Sequence, residues 1–158
     1  MPLALVLICA AVLVYLFEPV CVVTVASPTR QERAILTPGA MISLAFVNSI
    51  YDQREQDVFV LDRVCHLALH SLVFDGGGAA DYGTDFTHRD APRREGARFV
   101  ADGAGRVYEY ITIWADAIGH NQLTLGDRVL DLYAWESGGT RVQVSARVLA
   151  RAAVLLTR

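Results

Sequence analysis

The sequence predicts an all-β fold, a single sandwich or barrel-like domain of about eight to nine strands preceded by an N-terminal hydrophobic helix. Three observations carry that prediction. Short apolar or alternating segments rich in β-branched residues recur along the chain, which is the pattern of strands half-buried against a core. The joints between them hold Asp102-Gly103-Ala104-Gly105, Gly126-Asp127 and Gly138-Gly139, residues that accept the positive φ of tight hairpins. No long stretch past the N-terminus keeps an apolar period of 3.6 residues, as a helical core would require.

The totals agree with one folded unit. A chain of 158 residues suits a single domain plus a terminal segment. With 53% hydrophobic and 20% charged residues, it carries more apolar material than a soluble domain needs, and the N-terminus accounts for the surplus. The net charge of −3 gives no electrostatic reason to expect nucleic acid as a partner. All fourteen basic residues are Arg, and the one tight group, Arg93, Arg94 and Arg98, falls in an expected loop.

Taken in order, Leu3 to Phe17 has no charge or strong polar group and is stopped by Glu18-Pro19. At ~1.5 Å per residue it covers about 22 Å, short of a ~30 Å hydrocarbon core. Residues 1–19 therefore read as a signal anchor or a signal peptide, and 20–158 as an extracytoplasmic β-rich domain. Localisation is expected to be inner-membrane anchored and facing the periplasm, or periplasmic if the leader is removed. Val20 to Val25 reads as the first strand, and cleavage after Thr24-Val25-Ala26 would remove it, which favours retention.

Further strands are expected at Met41 to Asn48, Gln56 to Leu61, Cys65 to Phe74, Arg98 to Asp102, Val107 to Trp114, Asn121 to Leu125, Arg128 to Ala134 and Arg141 to Val148. The tail from Leu149 is ambiguous between strand and helix, with its alanines favouring helix. Asp75 to Gly96 is the one long irregular segment, and loops of that length are usually functional or mobile. Its Gly76-Gly77-Gly78 lacks the Lys-Ser/Thr ending of a phosphate loop and reads as a flexible turn.

The organising stretch is Ala45 to Leu61, two strand-like segments flanking a turn crowded with Asn48, Ser49, Tyr51, Asp52, Arg54, Glu55 and Asp57. Asp57 among apolar neighbours needs partners, and the Asn48 amide and Ser49 hydroxyl are nearest in sequence. Glu55 is expected at the solvated turn.

Other constellations favour structural readings. Cys9 lies in the leader, so at most one bridge is open, Cys21 to Cys65; the default is two buried thiols acting as small hydrophobes. No Cys/His spacing supports zinc. His66 and His70 on a strand would stand about 13 Å apart at ~3.3 Å per residue, too far to share a metal. Asp81, Asp85, His88 and Asp90 match no cation-binding spacing. Ser49, His120 and Asp57 supply the residue types of a nucleophilic triad, without the Gly-x-Ser-x-Gly elbow that would position the serine. The aromatic residues Tyr108, Tyr110, Trp114, Tyr133 and Trp135 read as strand packing, with a wet binding face as the alternative.

Phe46-Val47-Asn48-Ser49-Ile50-Tyr51 followed by Asp57-Val58-Phe59, behind a hydrophobic leader, resembles the domain-of-unknown-function family eighteen-fifty. Those are small exported or membrane-anchored bacterial proteins associated with TAXI-type tripartite ATP-independent periplasmic transporters. The family's His-Ser-Ile/Val element would be Asn48-Ser49-Ile50 here, its acidic residue Asp57 and its Phe Phe59. A later His-Arg-Leu element would be Asn121-Gln122-Leu123, or His120 shifted by one. The resemblance implies a site where Asn48 and Asn121 come together, and replacing His by Asn keeps hydrogen bonding while losing titration near neutral pH.

The function expected is therefore a non-enzymatic accessory or binding domain of such a transporter, with no catalytic residue, metal or cofactor. Its ligand or partner site would comprise Asn48, Ser49, Tyr51, Asp57, Tyr82, His120 and Asn121. The partner would be a transporter subunit or other integral membrane protein, together with a small polar solute, and not nucleic acid. The alternative is a structural subunit of another envelope complex, its anchor packed on a larger membrane protein.

Overall fold

A computed structural model describes residues 2–81, 91–136 and 139–155. The chain is an all-β sandwich of two antiparallel sheets, with a helix at Pro2–Phe17 ahead of it. The strands are β1 (Pro19–Ala26), β2 (Gln31–Leu36), β3 (Met41–Asn48), β4 (Gln53–Leu61), β5 (Leu67–Phe74) and β6 (Arg93–Glu95), followed by β7 (Arg98–Asp102), β8 (Val107–Tyr108), β9 (Tyr110–Ala115), β10 (Gln122–Leu125), β11 (Arg128–Asp131) and β12 (Thr140–Ala150). The small sheet runs β2-β1-β12-β9. The large sheet runs β11-β10-β3-β4-β5-β7-β6, with β8 paired to β5.

The two sheets face each other across one core. Cys21, Val23 and Val25 of β1 and Val142 and Val144 of β12 meet Ile42, Phe59, Leu67, Phe74 and Leu123 of the large sheet. Period-two alternation puts these residues inward. In β5 the alternation slips: Leu67 and Leu69 point inward, then Leu72 and Phe74. A bulge is responsible, because Val58 pairs with Ser71 and Phe59 with Leu69, leaving His70 as the extra residue. Gly103 sits directly against it; its N–H donates to the His70 carbonyl at 2.7 Å, and a Cβ there would stand 2.2 Å from the Leu69 carbonyl oxygen.

Cys21 and Cys65 form a disulfide with Cα atoms 5.3 Å apart, correcting the expectation of two free thiols. β1 carries Cys21 on the inner face of the small sheet, and the turn before β5 carries Cys65 at a positive φ of 63°. The bridge thus joins the two sheets through the core, a proximity invisible to sequence spacing.

The nine expected strands become twelve among the described residues. β2 and β6 are edge strands whose charged residues mask the strand pattern, a common protection of edges against further pairing. The expected strand at Val107 is divided at Glu109, where the chain leaves the large sheet as β8 and enters the small sheet as β9. The strand expected to reach Ala134 stops at Asp131, whose Oδ1 accepts from the Ala134 N–H at 3.0 Å and caps a short helix at Leu132–Trp135.

That helix closes one side of the sandwich. The Trp135 indole N–H donates to Glu32 Oε1 at 2.8 Å, and Arg128 reaches Glu32 Oε2 at 2.8 Å. Arg30 stands 5.1 Å over the Trp135 ring. The Trp135 hydrogen bond, with Arg128 and Arg30, holds the Glu32 carboxyl below its ordinary range despite partial burial. These contacts stitch β2 to β11, so the small sheet is shut at its β2 edge. Among the described residues nothing pairs with the opposite edge, β9.

The outer face of the small sheet buries Val20 and Val22 under Val154 of a helical turn at Arg151–Leu155. Arg151 bonds Glu18 at 2.7 Å and lies 4.4 Å from the centroid of the Tyr15 ring. The helix before it exposes apolar side chains on every side, from Leu3 to Phe17. No helix among the described residues is long and apolar enough to cross a membrane.

Candidate functional site

A cleft opens between the β9 edge and the inner face of β3, β4 and β5. It has two lobes, of 480 Å³ and 540 Å³, in the size range of small-molecule sites. Leu44, Phe46, Asn48, Asp57, Thr112 and Ile113 line both.

The β3–β4 register puts the acids there. Ile42 pairs with Phe59, Leu44 with Asp57, Phe46 with Glu55 and Asn48 with Gln53. Directly opposed residues of an antiparallel pair share a face, and this face is the inner one. Asp57 and Glu55 thus stand in the same inward row as Ile42 and Phe59. Two carboxylates in a core row conflict with the local pattern, and such conflicts mark functional positions.

Asp57 Oδ1 is shut off from solvent and has no hydrogen-bond partner among the described residues. Burial, with a contribution from the Glu55 carboxylate, pushes the Asp57 carboxyl from its ordinary 3.8 up to about 7. Burial also raises Glu55, against a hydrogen bond from Asn48 that lowers it.

The expected partnership of Asp57 with Asn48 and Ser49 is corrected by this register. The Asn48 amide donates to Glu55 Oε2 at 3.3 Å, and Asn48 Oδ1 accepts from the Ile50 N–H at 3.0 Å. β4 begins at Gln53, three residues earlier than expected, so Glu55 is a half-buried strand residue and not part of a solvated turn. Period-two parity with Asp57 and Phe59 was the signal that could have placed it.

The remaining expected site residues divide. Ser49 and Asn121 line the first lobe with Asn48, so the two asparagines do share a wall. Asn121 is buried and held in place: its Oδ1 accepts from the Asp116 N–H at 3.4 Å and its carbonyl accepts from the Leu132 N–H at 2.9 Å. The Gly119 carbonyl accepts from the Val47 N–H at 2.7 Å, docking this segment on β3.

His120 points to solvent at a positive φ of 44° and is not part of the cleft lining. Ser49 and Asp57 are therefore not joined by it into a triad. Tyr51 lies on the hairpin loop outside the cleft lining and packs on the turn that carries Gly78, where a Cβ would come within 2.8 Å of its ring. Gln53 makes a similar approach to Gly76 and accepts from the Ala79 N–H at 3.2 Å. The glycine run thus allows close packing of a helical turn at 77–81 and is not a free loop. Tyr82, together with Asp85, His88 and Asp90, lies outside the described residues.

Sequence reasoning left the cleft's aromatic wall undecided. Tyr108, Tyr110 and Phe59 line the second lobe and Trp114 the first. Trp114 and Tyr110 are exposed at the β9 edge, and Phe59 and Tyr108 meet edge to face with centroids 6.0 Å apart. Comparison of the chain with protein-family models, curated proteins and solved structures gives no match.

Proposed function

We propose that this chain is a non-enzymatic binding domain that works outside the cytoplasm as an accessory of a solute transport system of the TAXI tripartite type. The observation that carries the binding reading is the unpartnered Asp57 Oδ1 in the wall of the inter-sheet cleft. A buried acceptor without a donor costs stability, and a ligand that supplies the donor recovers it. The Cys21–Cys65 bridge supports an oxidising compartment, because disulfides persist outside the cytoplasm and are rare within it.

The transporter assignment rests on the resemblance carried by Asn48-Ser49-Ile50, Asp57 and Phe59. It is tested by extracting the full chain from its native membranes in mild detergent and identifying its companions. Co-purification with a transporter permease or its solute-binding subunit is expected. Recovery with an unrelated envelope complex would overturn it and leave the second reading. That reading, a structural module packed on a larger membrane protein, is favoured by the helix at Pro2–Phe17, where Leu3 is 73% and Val14 74% exposed.

A further inference from the structure

We propose that the ligand of the inter-sheet cleft is a small organic cation, a protonated amine or quaternary ammonium on an apolar or aromatic body, with Asp57 as its counter-ion. The inference rests on the cleft being a binding site, as argued above, and adds the charge and shape of what it binds.

The first ground is the sign of the lining. Among the described residues, the walls of the two lobes contain three carboxylates, Asp57, Glu55 and Asp116, and no Arg or His, in a chain whose basic residues number fourteen. Asp116 is engaged, accepting from the Gly119 N–H at 2.6 Å. Glu55 is engaged by Asn48 at 3.3 Å. Of the carboxylate oxygens lining the cleft, Asp57 Oδ1 is the one that is buried without a donor among the described residues, so the position a cationic head would take is specified.

The second ground is the aromatic wall. Phe59, Tyr108 and Tyr110 stand around the second lobe, which Asp57 also lines. Ring faces attract cations, and aromatic cages beside a carboxylate recognise ammonium groups. A bare metal ion fits less well. Hard divalent cations take six or more oxygen ligands, and no group of three or more His, Cys, Asp or Glu among the described residues is placed to hold a metal. A neutral ligand would leave the Asp57–Glu55 repulsion unrelieved.

The third ground is the apolar remainder. Beside Asn48 and Thr112, the rest of the second lobe is Leu44, Phe46, Leu69, Leu72, Ile111 and Ile113, so the body attached to the cation is mainly apolar. The groups facing Asp57 that can titrate are Glu55 on its own strand, Tyr108 on β8, Tyr110 on β9 and Asp116 beyond β9. Cation binding draws Asp57 to its ionised form, so a ligand arriving when the carboxyl is protonated releases a proton.

Calorimetric titration of the full chain, disulfide intact, tests this with three probes of one shape: phenethylammonium, neutral 2-phenylethanol and anionic phenylacetate. Phenethylammonium is expected to bind best at about pH 8. Its affinity should fall about ten- to a hundredfold in Asp57→Asn, the range of a lost charge-assisted contact, and should fall at about pH 5. A Ser43→Ala variant, outside the cleft, should leave it unchanged, and urea unfolding of each variant confirms that it is folded. Equal or tighter binding of the alcohol or phenylacetate would overturn the cation assignment while leaving a binding cleft. Binding of phenethylammonium that is indifferent to Asp57→Asn would overturn the role of Asp57. Failure of all three probes overturns the cation inference, and the transporter co-purification then judges the broader function separately.

Discussion

Replacing Asp57 by asparagine removes a charge from the middle of a core row while keeping its shape. The carboxyl titrates near 7 in the fold against an ordinary 3.8. At about 1.4 kcal/mol per pH unit, that difference amounts to about 4 kcal/mol. The sign follows from proton binding. Between about pH 4 and 7 the folded carboxyl keeps a proton that the unfolded one has lost, so stability falls as pH rises across that window. Below it the contribution is fully present, and above it fully lost. Urea unfolding of the wild type at about pH 4.5, 6 and 8 should show the decline. The amide introduced by Asp57→Asn would bring two hydrogens into the same place, and leaving them unpaired costs about 1 to 3 kcal/mol at every pH. That offset does not alter slope, so slope is the measurement that decides. In Asp57→Asn the decline should shrink to what Glu55 contributes, since burial raises Glu55 as well. Parallel curves for the two proteins would refute the buried carboxyl with its unpartnered Oδ1 on which the site is built.

Other perturbations test the frame around it. The Cys21–Cys65 bridge closes 44 residues, and by the chain-entropy relation its loss in Cys21→Ala/Cys65→Ala should cost about 4 kcal/mol; an unchanged denaturant midpoint would show that the bridge is dispensable. Gly103→Ala drives a Cβ into the backbone of Leu69 and His70 at the β5 bulge, and should cost about 1 to 3 kcal/mol, read as a lowered melting temperature; a neutral result would mean the bulge yields freely. β1 pairs with both β12 and β2 and carries Cys21, so the mature chain should retain it; mass spectrometry finding a protein that begins at Ser27 would contradict this.

Alternation and turn chemistry by themselves determined the all-β class and the bounds of β3 and β7, and an unbroken apolar run determined the helix at the N-terminus, because strand periodicity, glycine-bearing turns and apolar runs are local properties. They also picked out the hairpin that bears Asn48, Ser49 and Asp57. What only the tertiary structure decided depends on register and on which sheet a strand joins. Glu55 entered the cleft because β4 starts at Gln53 and pairs Glu55 with Phe46, a one-to-one matching that sequence proximity does not specify. The Cys21–Cys65 bridge needed the two sheets to face each other. β2 and β6 stayed hidden because an edge strand's outward charges look like a loop. Tyr108 and Tyr110 became cleft walls because the chain changes sheets at Glu109, which leaves one edge of β9 unpaired among the described residues. A period of two assigns a side chain to one face or the other, and only the packed sandwich decides whether that face meets core, solvent or a cavity.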